Sequence, residues 1–97
     1  MKLVYSRRAL ADLDGISAHY AASASPAIAD LIGRRLEDVI DRICRVPQSS
    51  PRVSQRSEVR VATVVRYPFR IFYRVREDTI DILHIRHTSR RPVNKID

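Results

Sequence analysis

The sequence predicts an α+β fold: an N-terminal strand, an antiparallel helical hairpin, then a three-stranded antiparallel meander, with the helices packed on one face of the sheet. Two early runs repeat apolar residues every three or four positions, and three later runs alternate with a period of two. The 97 residues suffice for one core and not for two. The chain therefore reads as a single domain, 1–97, with a loose polar tail, SRRPVNKID, from about residue 89.

Lys2 to Tyr5 is the first strand, with Leu3 and Tyr5 on one face and Val4 on the other. Ser6 is placed to cap a helix running to about Ala22, because its hydroxyl can accept from a free first-turn amide. Leu10, Leu13, Ile16 and Tyr20 form its apolar stripe, while Asp12 and Asp14 fall off it. Gly15 costs about 1 kcal/mol in a helix interior relative to alanine, which points to close packing there. Ser25 and Pro26 start a second helix, serine as N-cap and proline at the first helical position, and Pro47 marks its end. Its stripe is Ile28, Ile32, Leu36, Val39, Ile43 and Val46. So short a turn makes the two helices antiparallel, and their stripes need a sheet to cover.

PQSSPRVSQ, residues 47–55, is a loop by composition. From Glu58 to Val65, Val59, Val61 and Thr63 share one face and Arg60 and Ala62 the other. After Pro68, Phe69, Ile71, Tyr73 and Val75 alternate with Arg70, Phe72, Arg74 and Arg76. A turn at Glu77-Asp78-Thr79 leads to a last strand. Its simple alternation groups Ile80, Ile82, His84 and Arg86 against Asp81, Leu83, Ile85 and His87. These patterns leave open which face meets the helices.

The net charge of +7 is uneven: residues 1–50 carry 7 basic and 6 acidic groups, residues 51–97 carry 11 and 5. Sixteen of the 18 basic residues are arginine, whose planar fork grips carboxylate and phosphate with two bonds. An arginine-bearing sheet suits an acidic partner. The single cysteine, Cys44, allows no internal disulfide or zinc pattern and reads as a buried inert thiol, which fits a reduced, cytoplasmic setting. No metal or cofactor site is called. No apolar run approaches a membrane span, and MKLVYSRRAL lacks the apolar core of a signal peptide.

Three stretches, YSRRALADLDGI from Tyr5, PFRIFYRV from Pro68 and ILHIRHTSRRP from Ile82, together with the order of elements, resemble the RelE/ParE superfamily of bacterial toxins, its ParE branch most closely. The likeness covers nearly the full length. It implies the toxin of a type II toxin-antitoxin system, neutralised by a ParD-like or similar antitoxin encoded adjacently. That antitoxin's acidic and apolar segment would wrap helices and sheet, and DNA contact would come only through it. The ParE branch implies inhibition of DNA gyrase with no hydrolytic site. The RelE branch, as the alternative, implies ribosome-dependent cleavage of mRNA, for which Arg60, Arg70, His84, Arg86 and His87 would be the candidates. That branch commonly carries an aromatic residue just after its last strand, and here none follows Tyr73.

Arg60, Arg70, Arg74, Arg86 and Arg90 are the expected antitoxin-binding residues. Arg86, His87, Arg90 and Arg91 are those expected to meet the target. His84 and His87, three apart on a strand, face opposite sides and cannot act on one proton together.

Overall fold

Two serines start the two helices. In the computed structural model, which describes residues 2–53 and 58–88, Ser6 Oγ accepts from the Ala9 amide at 2.9 Å and donates to the Leu83 carbonyl at 2.7 Å. It thus caps α1 (Arg7–Ser23) and ties its start to the last strand. Ser25 caps α2 (Pro26–Arg45), accepting from the Ile28 amide at 3.2 Å, with Pro26 at the first helical position. Proline is tolerated there because its missing N–H would have had no partner.

The strands are β1 (Lys2–Tyr5), β2 (Val59–Thr63), β3 (Phe69–Val75) and β4 (Thr79–His87), in the sheet order β1-β4-β3-β2. The β2-β3-β4 meander is antiparallel as expected, and β1 adds to β4 in parallel, with Leu3 opposite Ile80 and Tyr5 opposite Ile82. The sheet is therefore mixed.

One face of the sheet meets the helices. Ala62, Phe69, Ile71, Tyr73, Ile80, Ile82 and Ile85 are buried there with Ala9, Ile32, Leu36, Val39, Ile40 and Ile43 of the hairpin. This settles the face left open by the sequence, and corrects the last strand. Phe72 pairs with His84 but Tyr73 with Ile82, so Leu83 is an extra residue, a β-bulge. The bulge reverses the alternation: Ile80, Ile82 and Ile85 point to the core, while His84 and Arg86 point away.

The helical stripes also shift at their margins. Leu10 is 51 % exposed because the buried line of α1 runs instead through Ala9, Leu13, Ile16 and Tyr20. Ile28 and Val46 overhang the ends of the α2 stripe and are exposed, and Ile40 is buried in addition to the expected positions. Cys44 is exposed rather than buried, with its thiol pushed up by partial burial and by the Asp41 carboxylate.

Gly15 is not closely packed, since a Cβ there would meet nothing within 4 Å and its φ is not positive. Its cost to the helix is thus uncompensated in the free chain. Gly15→Ala is expected to stabilise the protein by about 0.5–1 kcal/mol, read as a higher urea midpoint at unchanged slope. No gain would mean that the glycine serves the fold in some other way.

Residues 51–53 of the presumed loop return along the outer edge of β2. Val61 donates to the Pro51 carbonyl at 3.0 Å and Val53 to the Val59 carbonyl at 2.9 Å. Part of an exposed strand edge is thereby paired. Among the described residues no helix is long and apolar enough to cross a membrane.

The arginine face of the sheet and the helix groove

The sheet face turned away from the helices carries three cross-strand rows. Thr63, Arg70 and Arg86 form one; Val61, Phe72 and His84 the next; Val59, Arg74, Asp81 and Val4 the third. Phe72 and His84 stack with ring centroids 5.4 Å apart and planes 19° apart, giving the face a half-buried aromatic centre.

Arg70 and Arg86 lie directly opposite each other and are exposed. Neither side chain makes a hydrogen bond or ion pair among the described residues. Like charges placed opposite on neighbouring strands repel. With the strands fixing both backbones, the two cations stand together on this face about 7 Å, or two residues, from the aromatic row.

Arg74 is held differently. Asp81, 6 % exposed, accepts from Arg76 Nε at 2.8 Å and from Arg74 Nη2 at 3.4 Å. Burial pushes the Asp81 carboxyl up, but hydrogen bonds from Arg76, Thr79 and Arg74 and the Arg76 charge outweigh it and hold the carboxyl below its ordinary range. The buried carboxylate therefore stays ionised and offsets part of the positive charge at this end. Arg74 Nε is buried with no hydrogen-bond partner among the described residues.

Arg60 is on the other side. Its Nη1 donates to the Ser50 carbonyl at 2.7 Å and to that of Gln48 at 3.3 Å, and the neighbouring Tyr73 hydroxyl donates to the Pro47 carbonyl at 2.6 Å. Both residues fasten the chain leaving α2. Of the expected antitoxin-binding set, the structure brings Arg70, Arg74 and Arg86 onto one face and separates Arg60 from them. Arg90 and Arg91 lie outside the described residues.

The two histidines occupy opposite faces, as the spacing implied. His87 packs edge-on against Phe69 at 5.2 Å, in a cleft shared with Tyr20 and His19. His84 Nδ1 is 3.0 Å from Asp12 Oδ2, and the same oxygen accepts from the Ile85 amide at 2.9 Å. Beyond Tyr5 the β1 strand has ended, so the edge of β4 would be left bare. Asp12, off the apolar stripe of α1, supplies the missing acceptor. Asp12→Ala is expected to cost about 1–3 kcal/mol because it orphans a buried amide, whereas Asp12→Asn keeps an acceptor and most of the stability. Equal losses in chemical denaturation would refute the amide's role.

The other conspicuous feature is a groove of about 520 Å³ between α1 and α2, reaching Tyr5. Spacing alone hid Asp12, Asp81 and Phe72, whose roles depend on which strand ends where; Phe72 was visible only as an apolar residue among arginines.

A family model described as ParE toxin of type II toxin-antitoxin system, parDE, matches residues 3–92. The chain is also similar to a solved structure titled as the chromosomal ParDE TA system from P. aeruginosa. It is 32 % identical, the match covers 92 % of this chain and 97 % of that one, and the TM-score is 0.81. No curated protein matches the chain.

Proposed function

The chain belongs to the ParE family of toxins of type II toxin-antitoxin systems, and on that footing we propose that it binds and stalls DNA gyrase until an antitoxin encoded beside it neutralises it. The observation that carries this reading is the family match across 3–92. The unpaired Arg70 and Arg86 beside the Phe72–His84 stack support it, as a surface built to bind an acidic partner. An inhibitor of this kind needs contact area and charge complementarity rather than a reacting group. The test is supercoiling by purified gyrase with the full chain added over a range of concentrations. Inhibition that the antitoxin reverses is the expected result, and full supercoiling at every concentration overturns the gyrase reading.

One observation favours mRNA cleavage as the second reading. Asp12 beside Nδ1 leaves His84 Nε2 free on the face that carries Arg86 and Arg70, an oriented base beside two phosphate-gripping cations. Cleavage on translating ribosomes that disappears in His84→Ala would establish it; an intact message with the unaltered chain removes it.

A further inference from the structure

The row of Thr63, Arg70 and Arg86 does not stop at the edge of the sheet. Beyond β2 it runs into an open cleft of about 700 Å³, lined among others by Arg42, Ser49, Ser50, Thr63 and Arg70. Arg42 comes from the last turn of α2, and the two serines from the chain that leaves it. The guanidinium groups of Arg42, Arg70 and Arg86 and the hydroxyls of Ser49, Ser50 and Thr63 make no hydrogen bond or ion pair among the described residues. Guanidinium and hydroxyl groups are both phosphate-gripping side chains.

The far wall of this cleft is held in place. Arg60 clasps the Gln48 and Ser50 carbonyls, the Tyr73 hydroxyl that of Pro47, and the Val61 amide donates to the Pro51 carbonyl at 3.0 Å. The aromatic row beside the arginines is held as well. Asp12 Oδ2, 3.0 Å from Nδ1, sets the orientation of the His84 ring, and Phe72 lies stacked against it with both rings half-buried. Groups already fixed in the free protein lose little freedom when a ligand arrives.

An acidic peptide would use the cations alone, whereas an unpaired nucleotide uses a cation for its phosphate and a flat ring for its base. A duplex hides its base faces and could not reach the rings. Arg86, Arg70 and Thr63 step across three adjacent strands, roughly 10 Å in all, and the cleft carries the line on to Arg42. Arg74 and Arg76 stay off this line because Asp81 already offsets their charge.

We propose that this strip binds a short single-stranded polynucleotide, its phosphates along Arg86, Arg70, Thr63 and Arg42 and one base on the Phe72–His84 stack. Such a contact is direct, whereas the family likeness places nucleic-acid contact in the antitoxin alone. It goes beyond the toxin reading, is compatible with either target, and requires no bond to be cut.

The test is fluorescence anisotropy of the full chain with labelled oligo(dT) and oligo(U) of about 12 nucleotides and a duplex of the same length. A single strand is expected to bind at least about tenfold more tightly than the duplex, with log affinity falling against log salt at a slope of about −2 for three arginine contacts. The tighter of the two single strands identifies the nucleic acid that the strip serves, and either result upholds it. Arg42→Ala, Arg70→Ala and Arg86→Ala should each flatten the slope by about 0.7. Phe72→Leu, with its circular dichroism unchanged, should weaken binding about tenfold and leave the slope alone. Arg34→Ala, on the helical layer, should change nothing. No binding, equal binding of the duplex, or an equal loss in Arg34→Ala overturns the proposal. Displacement by poly-glutamate as effective as by unlabelled oligonucleotide assigns the strip to an acidic protein instead. Scission of the strand during the assay replaces the proposal with the cleavage reading. Loss of gyrase inhibition or of antitoxin rescue bears on the toxin reading and is measured separately.

Discussion

Tyr73→Ala is expected to remove about 3–5 kcal/mol of stability, a large part of the roughly 5–15 kcal/mol that a domain of this kind possesses. Tyr73 is fully buried at the centre of β3, opposite Arg60 on one neighbour and Ile82 on the other. Truncation would empty a ring-sized volume between sheet and helices, and a packed core relaxes only partly into such a space. The hydroxyl has a separate task, donating to the Pro47 carbonyl at 2.6 Å and fastening the chain where α2 ends. Tyr73→Phe isolates that contact and should cost about 1 kcal/mol, nearer 2 if the carbonyl is left dry. Arg60→Ala frees the same segment from its other clasp, so combining it with Tyr73→Phe should give a non-additive loss. Urea denaturation of these four variants beside the unaltered chain checks the scheme. A loss below about 1 kcal/mol for Tyr73→Ala would mean that the core is not organised around this ring.

Local chemistry made most of this fold legible. Ser6, Ser25 and Pro26 announce both helix starts, because capping needs only a hydroxyl and a fixed φ within one turn of chain. The meander is visible in its alternation, which requires only that one face be drier than the other. What escaped depends on distant partners. An inserted residue at Leu83 leaves no trace in a period-two pattern, yet it decides that His84 and Arg86 share a face with Arg70 and that Ile85 enters the core. The parallel pairing of β1 with β4 depends on a crossover through both helices. Arg60 looked equivalent to Arg70 because both sit among apolar residues, and only the carbonyls of Gln48 and Ser50, in the chain leaving α2, turn its guanidinium into a structural clasp. Arg66 at φ 79° is another such case: the β2–β3 connection demands a left-handed residue, and nothing local selects arginine for it.

Reversing both unpaired charges of the sheet, Arg70→Glu with Arg86→Glu, is expected to slow association with the antitoxin by about 100-fold at low salt, the mid-range of electrostatic steering. The argument is geometric. The two cations lie opposite each other on rigid strands, so their repulsion is already present in the free protein and an arriving carboxylate relieves it. Arg74 and Arg76 share Asp81 and should matter less; Arg74→Ala is predicted to change the rate only a few-fold. Because both altered residues are exposed and outside the core, the unfolding midpoint should barely move. The difference in rate between the unaltered and double-reversed chains should shrink as salt rises toward 1 M, where screening reaches about 3 Å. A salt-independent difference would assign the arginines to direct contacts within the complex, visible in dissociation instead. No difference at any salt would discard this face as the place where the acidic part of the partner lands.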